Sequence, residues 1–119
     1  MVRTVEPRRD VYPSLMDANA DAFAAGHFET AYHALMAALH AAQDRHDAIL
    51  LDRVCVLARQ QQDSLDAAAP EHRLATHSAG EHRRTGVYAR ASRQAGAQAT
   101  IARLRERRND AAEPSATGS

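Results

Sequence analysis

The chain has 119 residues, a single cysteine, no tryptophan and a formal net charge of zero. All fifteen basic side chains are arginine, and 27 residues are alanine. This length fits one small domain with tails and excludes a large multidomain enzyme. We expect no membrane-spanning helix, because no run of about 20 apolar residues occurs. The first ten residues lack the apolar segment of a secretory signal, so we expect a protein of the prokaryotic cytoplasm.

The zero net charge divides unevenly along the chain. Residues 1–69 carry six Arg and ten acidic residues, whereas residues 70–119 carry nine Arg and five acidic residues. The two parts either neutralise each other in the fold or present the basic part to an acidic partner. Large apolar side chains are concentrated before Pro70, which predicts a helical core domain over 11–69. We expect a flexible leader over 1–10, a basic helical extension over 70–110 and a disordered tail over 111–119.

The first helix is predicted to open at Pro13 and Ser14. Ser14 and Asp17 have the spacing of a capping box, in which both side chains satisfy free backbone N–H groups at the helix start. Apolar residues follow at helical spacing from Leu15 onwards. Gly26 is predicted to end this helix, because glycine adopts the left-handed cap conformation at little cost.

Two further helices follow, over Phe28 to Gln43 and over Ala48 to Ala68. The second helix has the strongest apolar period of the chain, with large or small apolar residues every three or four positions. Asp44 or Asp47 is predicted to cap the third helix. Pro70 marks the end of the third helix, because it disfavours helical geometry at the residue before it.

Beyond Pro70 a fourth helix is predicted over Glu81 to Arg108, with one thin apolar face. This face consists of Tyr88, Ala91, Ala95, Ala99 and Ala102. Ile101 and Leu104 fall off it. Gly86 and Gly96 are expected to interrupt the helix, since each glycine costs about 1 kcal/mol relative to alanine. The fold class predicted from all four segments is therefore all-α.

The turn between the first two helices resembles a tetratricopeptide (TPR) repeat, over about residues 12–45. In that family a Gly–x–aromatic turn precedes a small residue, a large apolar residue and an Ala-Leu pair. Those places are taken here by Gly26, Phe28, Ala31, Leu35, Ala38 and Leu39. The pattern does not recur 34 residues later, so the resemblance covers one hairpin. It implies a role in protein–protein interaction without catalysis.

Glu29, His33 and His40 lie on one predicted face of the second helix, with Met36 between them. Glu29 and His33 have the spacing of a two-ligand metal pair, but His40 lies two turns along, about 10 Å from His33. The alternatives are a solvated flank of the helix and a binding groove. We expect no metal and no cofactor, and no nucleophile or catalytic motif appears, so we do not expect an enzyme.

Arginines after Pro70 give the best nucleic-acid signal, because guanidinium groups pair with phosphates. Arg83, Arg84, Arg90 and Arg93 are the candidates. They cover much of the predicted helix surface instead of forming one stripe, and no known nucleic-acid-binding motif appears. The sequence therefore favours a small protein–protein interaction module that binds another protein or itself. The alternative is nucleic-acid binding through the Arg-rich segment.

Overall fold

The structure is a computed structural model. It describes residues 10–76 and 86–112. Helix α1 spans Val11–Ala24, α2 spans Phe28–Asp44, α3 spans Ala48–Ala68 and α4 spans Val87–Ala112. These residues contain no strand, which confirms the predicted all-α class. The predicted leader up to residue 9, residues 81–85 of the predicted fourth helix and residues 113–119 of the predicted tail lie outside the described residues. Ala111 and Ala112, placed by prediction in the disordered tail over 111–119, belong to α4. Within the described ranges, no helix has the length and apolar character needed to cross a membrane.

Helix α1 begins earlier than predicted. Its N-cap is Asp10, whose carboxylate accepts a hydrogen bond of 3.1 Å from the Tyr12 N–H. Pro13 therefore lies inside the first turn, where a missing N–H costs nothing because the first N–H groups of a helix have no partner within it. The predicted capping box of Ser14 and Asp17 is wrong, since both residues lie inside the helix and are exposed. Asp10, placed by prediction in a flexible leader, is a structural cap.

Two similar turns join α1 to α2 and α2 to α3. Gly26 has a φ of 79°, and the N–H of His27 donates to the carbonyl five residues earlier at 2.8 Å. His46 occupies the corresponding place in the second turn with a φ of 52°, and the N–H of Asp47 donates five residues back at 3.2 Å. Both are Schellman motifs, which satisfy the last carbonyls of the preceding helix. The prediction for Gly26 is confirmed, and a histidine makes the same turn at 46.

Helix α3 has the bounds that the sequence predicted. Asp47 caps it, because its carboxylate accepts hydrogen bonds from the N–H groups of Ile49 and Leu50 at 3.0 and 3.1 Å. The helix ends at Ala68, two residues before Pro70. Helix α2 ends at Asp44, one residue beyond the predicted end.

The four helices form two antiparallel pairs, α1 with α2 and α3 with α4, and α2 also contacts α3. Helices α1 and α3 run parallel, since Tyr12 bonds to Leu50 near their starts and Asn19 bonds to Gln61 further along. The core between the helices is built from large side chains and many alanines. Its largest apolar members are Leu35, Leu39, Leu51, Val54, Leu65 and Tyr88.

Helix α4 packs on α3 through the thin face that the sequence predicted. Tyr88, Ala91, Ala95, Ala99 and Ala102 are all buried, whereas Ile101 and Leu104 are exposed. The expected interruption at Gly96 is wrong, because α4 continues through it. A Cβ atom at this position would lie 3.7 Å from the Cys55 sulfur, so Gly96 faces α3 at close range. Tertiary packing overrides the low helix propensity of glycine here.

Ion pairs connect the basic part of the chain to its acidic part. Arg73 binds Glu29 of α2, and Arg103 of α4 binds Asp52 of α3. Two of the arginines after Pro70 therefore neutralise carboxylates of the first part. All four side chains of these pairs are at least 44% exposed, so solvent screens the pairs and each adds little to the free energy of unfolding.

Candidate functional site

The predicted face of α2 does not assemble a metal site. Glu29 is exposed and holds Arg73, and this hydrogen bond lowers the pKa of the Glu29 carboxyl below its usual value. His33 and His40 are both exposed. In the described ranges, no group of three or more His, Cys, Asp or Glu side chains is placed to hold a metal ion. Of the two alternatives left open by the sequence, the geometry favours a solvated flank.

Two of the four candidate arginines of the C-terminal segment lie within the described residues. Arg83 and Arg84 lie outside the described residues. Arg90 and Arg93 are exposed on α4, and neither forms an ion pair with any described residue. They are three residues apart, and neither belongs to the buried alanine face that packs on α3.

A buried pair of amides joins α1 to α3. Asn19 is fully buried and Gln61 is 5% exposed. The Asn19 Nδ2 group donates to Gln61 Oε1 at 3.0 Å and to the Ala31 carbonyl at 2.7 Å, and Gln61 Nε2 donates back to Asn19 Oδ1 at 2.5 Å. These bonds tie three helices at one point. Because buried polar groups need specific partners, the pair fixes how α1 and α3 align.

Gln61 lies among the buried residues of α3, at helical spacing from Ala58 and Leu65. Asn19 lies between alanines, four residues after Leu15 and four before Phe23, both of which pack against the core. A polar amide on that stripe is the signal that predicts a buried hydrogen-bonding partner elsewhere in the chain.

A groove runs between α1 and α3 on the outer surface. It has a volume of about 490 Å³. Its lining consists of Met16, Ile49, Asp52, Arg53, Val56, Leu57 and Gln60. Ile49 is 66% exposed and Val56 is 52% exposed, although both are large apolar residues. A second cavity of about 370 Å³ adjoins the groove near the starts of both helices and shares Met16 and Arg53 with it.

The predicted site residues do not include this groove, although the sequence carries a signal for it. Ile49 and Val56 are seven residues apart, so they lie on the same side of α3. The buried residues Leu51, Val54 and Ala58 lie on the opposite side. These two large apolar residues on the solvent side of an amphipathic helix form an exposed apolar patch.

Tyr88 is the one buried aromatic residue of α4. Its ring makes an edge-to-face contact with Tyr32, with ring centroids 5.5 Å apart. Its hydroxyl is buried and has no hydrogen-bond partner among the described residues. Burial raises the pKa of Tyr88 to about 12. This hydroxyl lies in the core, away from the outer groove, and is not a catalytic candidate.

The sequence matches no protein-family model, and comparisons with curated proteins and with solved structures find no significant match. The resemblance to a TPR hairpin therefore stays a prediction. The residues that carry it have clear structural roles here. Gly26 makes the turn, while Ala31, Leu35, Ala38 and Leu39 are fully buried in the hairpin.

Proposed function

We propose that this protein is a small, non-catalytic, cytoplasmic protein–protein interaction module, and that the groove between α1 and α3 is its contact surface. The exposed apolar side chains of the groove carry this proposal. Burying apolar surface gives about 25 cal/mol for each Å² removed from water, so Ile49 and Val56 favour a bound partner. The buried amide pair supports a docking role because it fixes the two walls of the groove relative to each other.

A second copy of the chain is the occupant that fits the charges. Asp52 and Arg53 lie side by side at the groove. In an antiparallel pair of α3 helices related by a twofold axis between these positions, Asp52 faces the second copy's Arg53. The same axis places Ile49 opposite the second copy's Val56. A surface that complements itself in this way is what a twofold dimer requires.

The ion pair within the chain is compatible with this arrangement. Arg103 uses the Oδ2 atom of Asp52. The other carboxylate oxygen is left for a guanidinium across the interface, because a carboxylate accepts several hydrogen bonds. Arg53 is exposed and forms no ion pair with any described residue.

Sedimentation velocity of the full chain, from about 1 µM to 1 mM, tests this dimer over the range in which small interfaces dissociate. We expect a concentration-dependent dimer that Val56→Glu reduces to a monomer. Ile101→Glu is the matched control, since Ile101 is 41% exposed on α4, outside the groove. Circular dichroism shows that each variant is folded.

A charge exchange makes the test specific. Asp52→Arg and Arg53→Asp each weaken the dimer, because each places like charges opposite one another. The double variant restores the dimer. A chain that is monomeric throughout the range, or a double variant no better than the single ones, refutes the twofold dimer.

Photo-crosslinking from position 56 in cells of the source organism then decides the broader proposal. If a different protein is crosslinked, the proposal of an interaction module stands and that protein is the occupant of the groove. If no protein is crosslinked from position 56 and the chain is monomeric, the proposed interaction module is refuted.

The alternative function is nucleic-acid binding, favoured by Arg90 and Arg93, which form no ion pair with any described residue. It predicts that affinity for duplex DNA or single-stranded RNA falls linearly with the logarithm of salt concentration. Changing both arginines to alanine reduces that slope by about 2 if both contact phosphates. Fluorescence anisotropy measures this, and an unchanged slope rules out these two residues as the contacts.

A further inference from the structure

A polar cleft lies between α3 and α4, separate from the apolar groove. It has a volume of about 290 Å³ and is lined by Arg59, Gln62, Ala89, Ser92 and Arg93. Both ionisable side chains in this lining are arginines, and none of these lining residues is acidic. The cleft therefore carries a local charge of +2 even though the chain as a whole is neutral.

Ser92 holds one of the arginines in place. Ser92 is only 5% exposed, and its hydroxyl oxygen accepts a hydrogen bond of 3.0 Å from Arg59 Nε. The same hydroxyl lies 3.3 Å from the Cys55 sulfur. Because the bond uses only Nε, both terminal NH₂ groups of Arg59 are left to bind a ligand. An arginine anchored in this way loses less conformational entropy when it binds.

Arg93 supplies the second guanidinium. It follows Ser92 directly in α4, is exposed and forms no ion pair with any described residue. Ala89 lies one turn earlier, within the first turn of α4, and its small side chain leaves the cleft open. The start of a helix carries a partial positive charge, which adds to that of the two arginines.

The carboxamide of Gln62 is also oriented by a chain of surface hydrogen bonds. Thr76 donates its hydroxyl proton to Asp66 at 2.6 Å, so the same oxygen accepts from Gln62 Nε2 at 2.8 Å. The second hydrogen of that NH₂ group remains available as a donor. The carboxylate of Asp66 accepts both the backbone N–H and the hydroxyl of Thr76, at 2.8 and 2.6 Å.

We infer that this cleft binds a phosphate-type oxyanion. Two guanidinium groups, one of them pre-oriented, match the several acceptor oxygens and the double negative charge of a phosphate. Inorganic phosphate and a phosphorylated side chain of another protein share this chemistry. The inference is independent of the dimer, because the cleft and the groove use different residues.

Titration of the full chain with inorganic phosphate, followed by backbone amide NMR in low salt, tests the inference. We expect saturable shifts at Ala89, Ser92 and Arg93. Arg59→Ala and Arg93→Ala should each weaken binding about tenfold or more, because each removes charge-assisted hydrogen bonds. Ser92→Ala should weaken it by about threefold without changing the net charge, because it releases Arg59.

Arg90→Ala is the matched control, since it removes an exposed arginine of α4 that does not line the cleft. We expect it to change phosphate affinity by less than about twofold, as a screened surface charge does. A loss equal to that of Arg93→Ala would show general charge attraction and overturn the site. The absence of saturable shifts up to about 10 mM phosphate, a concentration at which even weak sites fill, would overturn it as well.

A phosphoserine peptide distinguishes the two sources of the ligand. Binding at least about tenfold tighter than inorganic phosphate, with the same sensitivity to Arg59→Ala, assigns a phosphorylated partner. Equal affinities assign the free ion. If duplex DNA displaces phosphate and Arg90→Ala abolishes that displacement, the arginines form a continuous nucleic-acid surface and the separate cleft is refuted.

Discussion

Replacing Asn19 by leucine tests how α1 is held against α3. Leucine has nearly the same branched shape as asparagine but cannot form hydrogen bonds. In the Asn19→Leu variant the carboxamide of Gln61 loses the two hydrogen bonds that it makes with Asn19. Since Gln61 is 5% exposed, water does not replace them. The reverse change, Gln61→Met, leaves the Asn19 amide buried without its partner in α3.

The magnitude follows from those lost bonds. A buried polar group without a partner costs about 1–3 kcal/mol, so each single change should lower the free energy of unfolding by about 2–3 kcal/mol. The double variant removes both polar groups together and should cost less than about 1 kcal/mol. The Ala31 carbonyl that Asn19 contacts retains its acceptor role within α2, so it adds little to either value. The expected coupling, the double-variant loss minus the sum of the two single losses, is therefore at least about 3 kcal/mol in magnitude.

Urea denaturation followed by circular dichroism at 222 nm gives all four free energies. Near-additive effects, with a double variant about 5 kcal/mol less stable, would refute the argument that the two amides satisfy each other. Asp17→Ala, a change at an exposed position of α1, is the control and should alter stability by less than about 0.5 kcal/mol.

Three further outcomes are expected from the same denaturation assay. His46→Gly should stabilise the fold by about 1 kcal/mol, because glycine adopts the positive φ at this position without strain. Gly26→Ala should lower the free energy of unfolding by about 1 kcal/mol for the same reason, although no atom lies within 4 Å of the added Cβ. Gly96→Ala should also stabilise the fold by about 1 kcal/mol, because alanine has the higher helix propensity and its Cβ would meet only the Cys55 sulfur, at ordinary contact distance. A lower free energy of unfolding would show that this contact is too tight for a Cβ. Tyr88→Phe should stabilise by about 1 kcal/mol, and it should weaken the fall in stability between about pH 10 and 12. The pKa of Tyr88 in the folded chain, about 12, lies above the pKa of tyrosine in the unfolded chain. The titration of this hydroxyl therefore leaves the free energy of unfolding unchanged below about pH 10 and lowers it as the pH rises through 12.

Local chemistry made much of the fold predictable. The bounds of α3 follow from Asp47 at one end and Pro70 at the other, and the turn at Gly26 follows from the conformational freedom of glycine. The start of α1 was mispredicted because two local signals compete there. The Ser14 pattern fits a capping box, but the absence of an N–H in Pro13 suits a helix that is already under way, and Asp10 caps it.

The candidate surfaces were less predictable because they depend on residues far apart in sequence. Asn19 and Gln61 are 42 positions apart, and Ser92 and Arg59 are 33 positions apart. A periodic pattern shows which side of a helix is buried but not which helix lies against it. The sequence therefore predicts Arg93 on the surface of the helix but does not show that it shares a cleft with Arg59 of α3.

The lengths of the connections imply an order in which the helices assemble and separate. Three residues join α1 to α2 and three join α2 to α3, whereas 18 residues, 69–86, separate α3 from α4. Closing the longer connection costs about 1.6 kcal/mol more in chain entropy than closing either short turn. The α1–α2 hairpin should therefore close before α4 packs on α3 during folding. An anion held by both Arg59 and Arg93 would bridge α3 to α4 and slow the separation of these two helices.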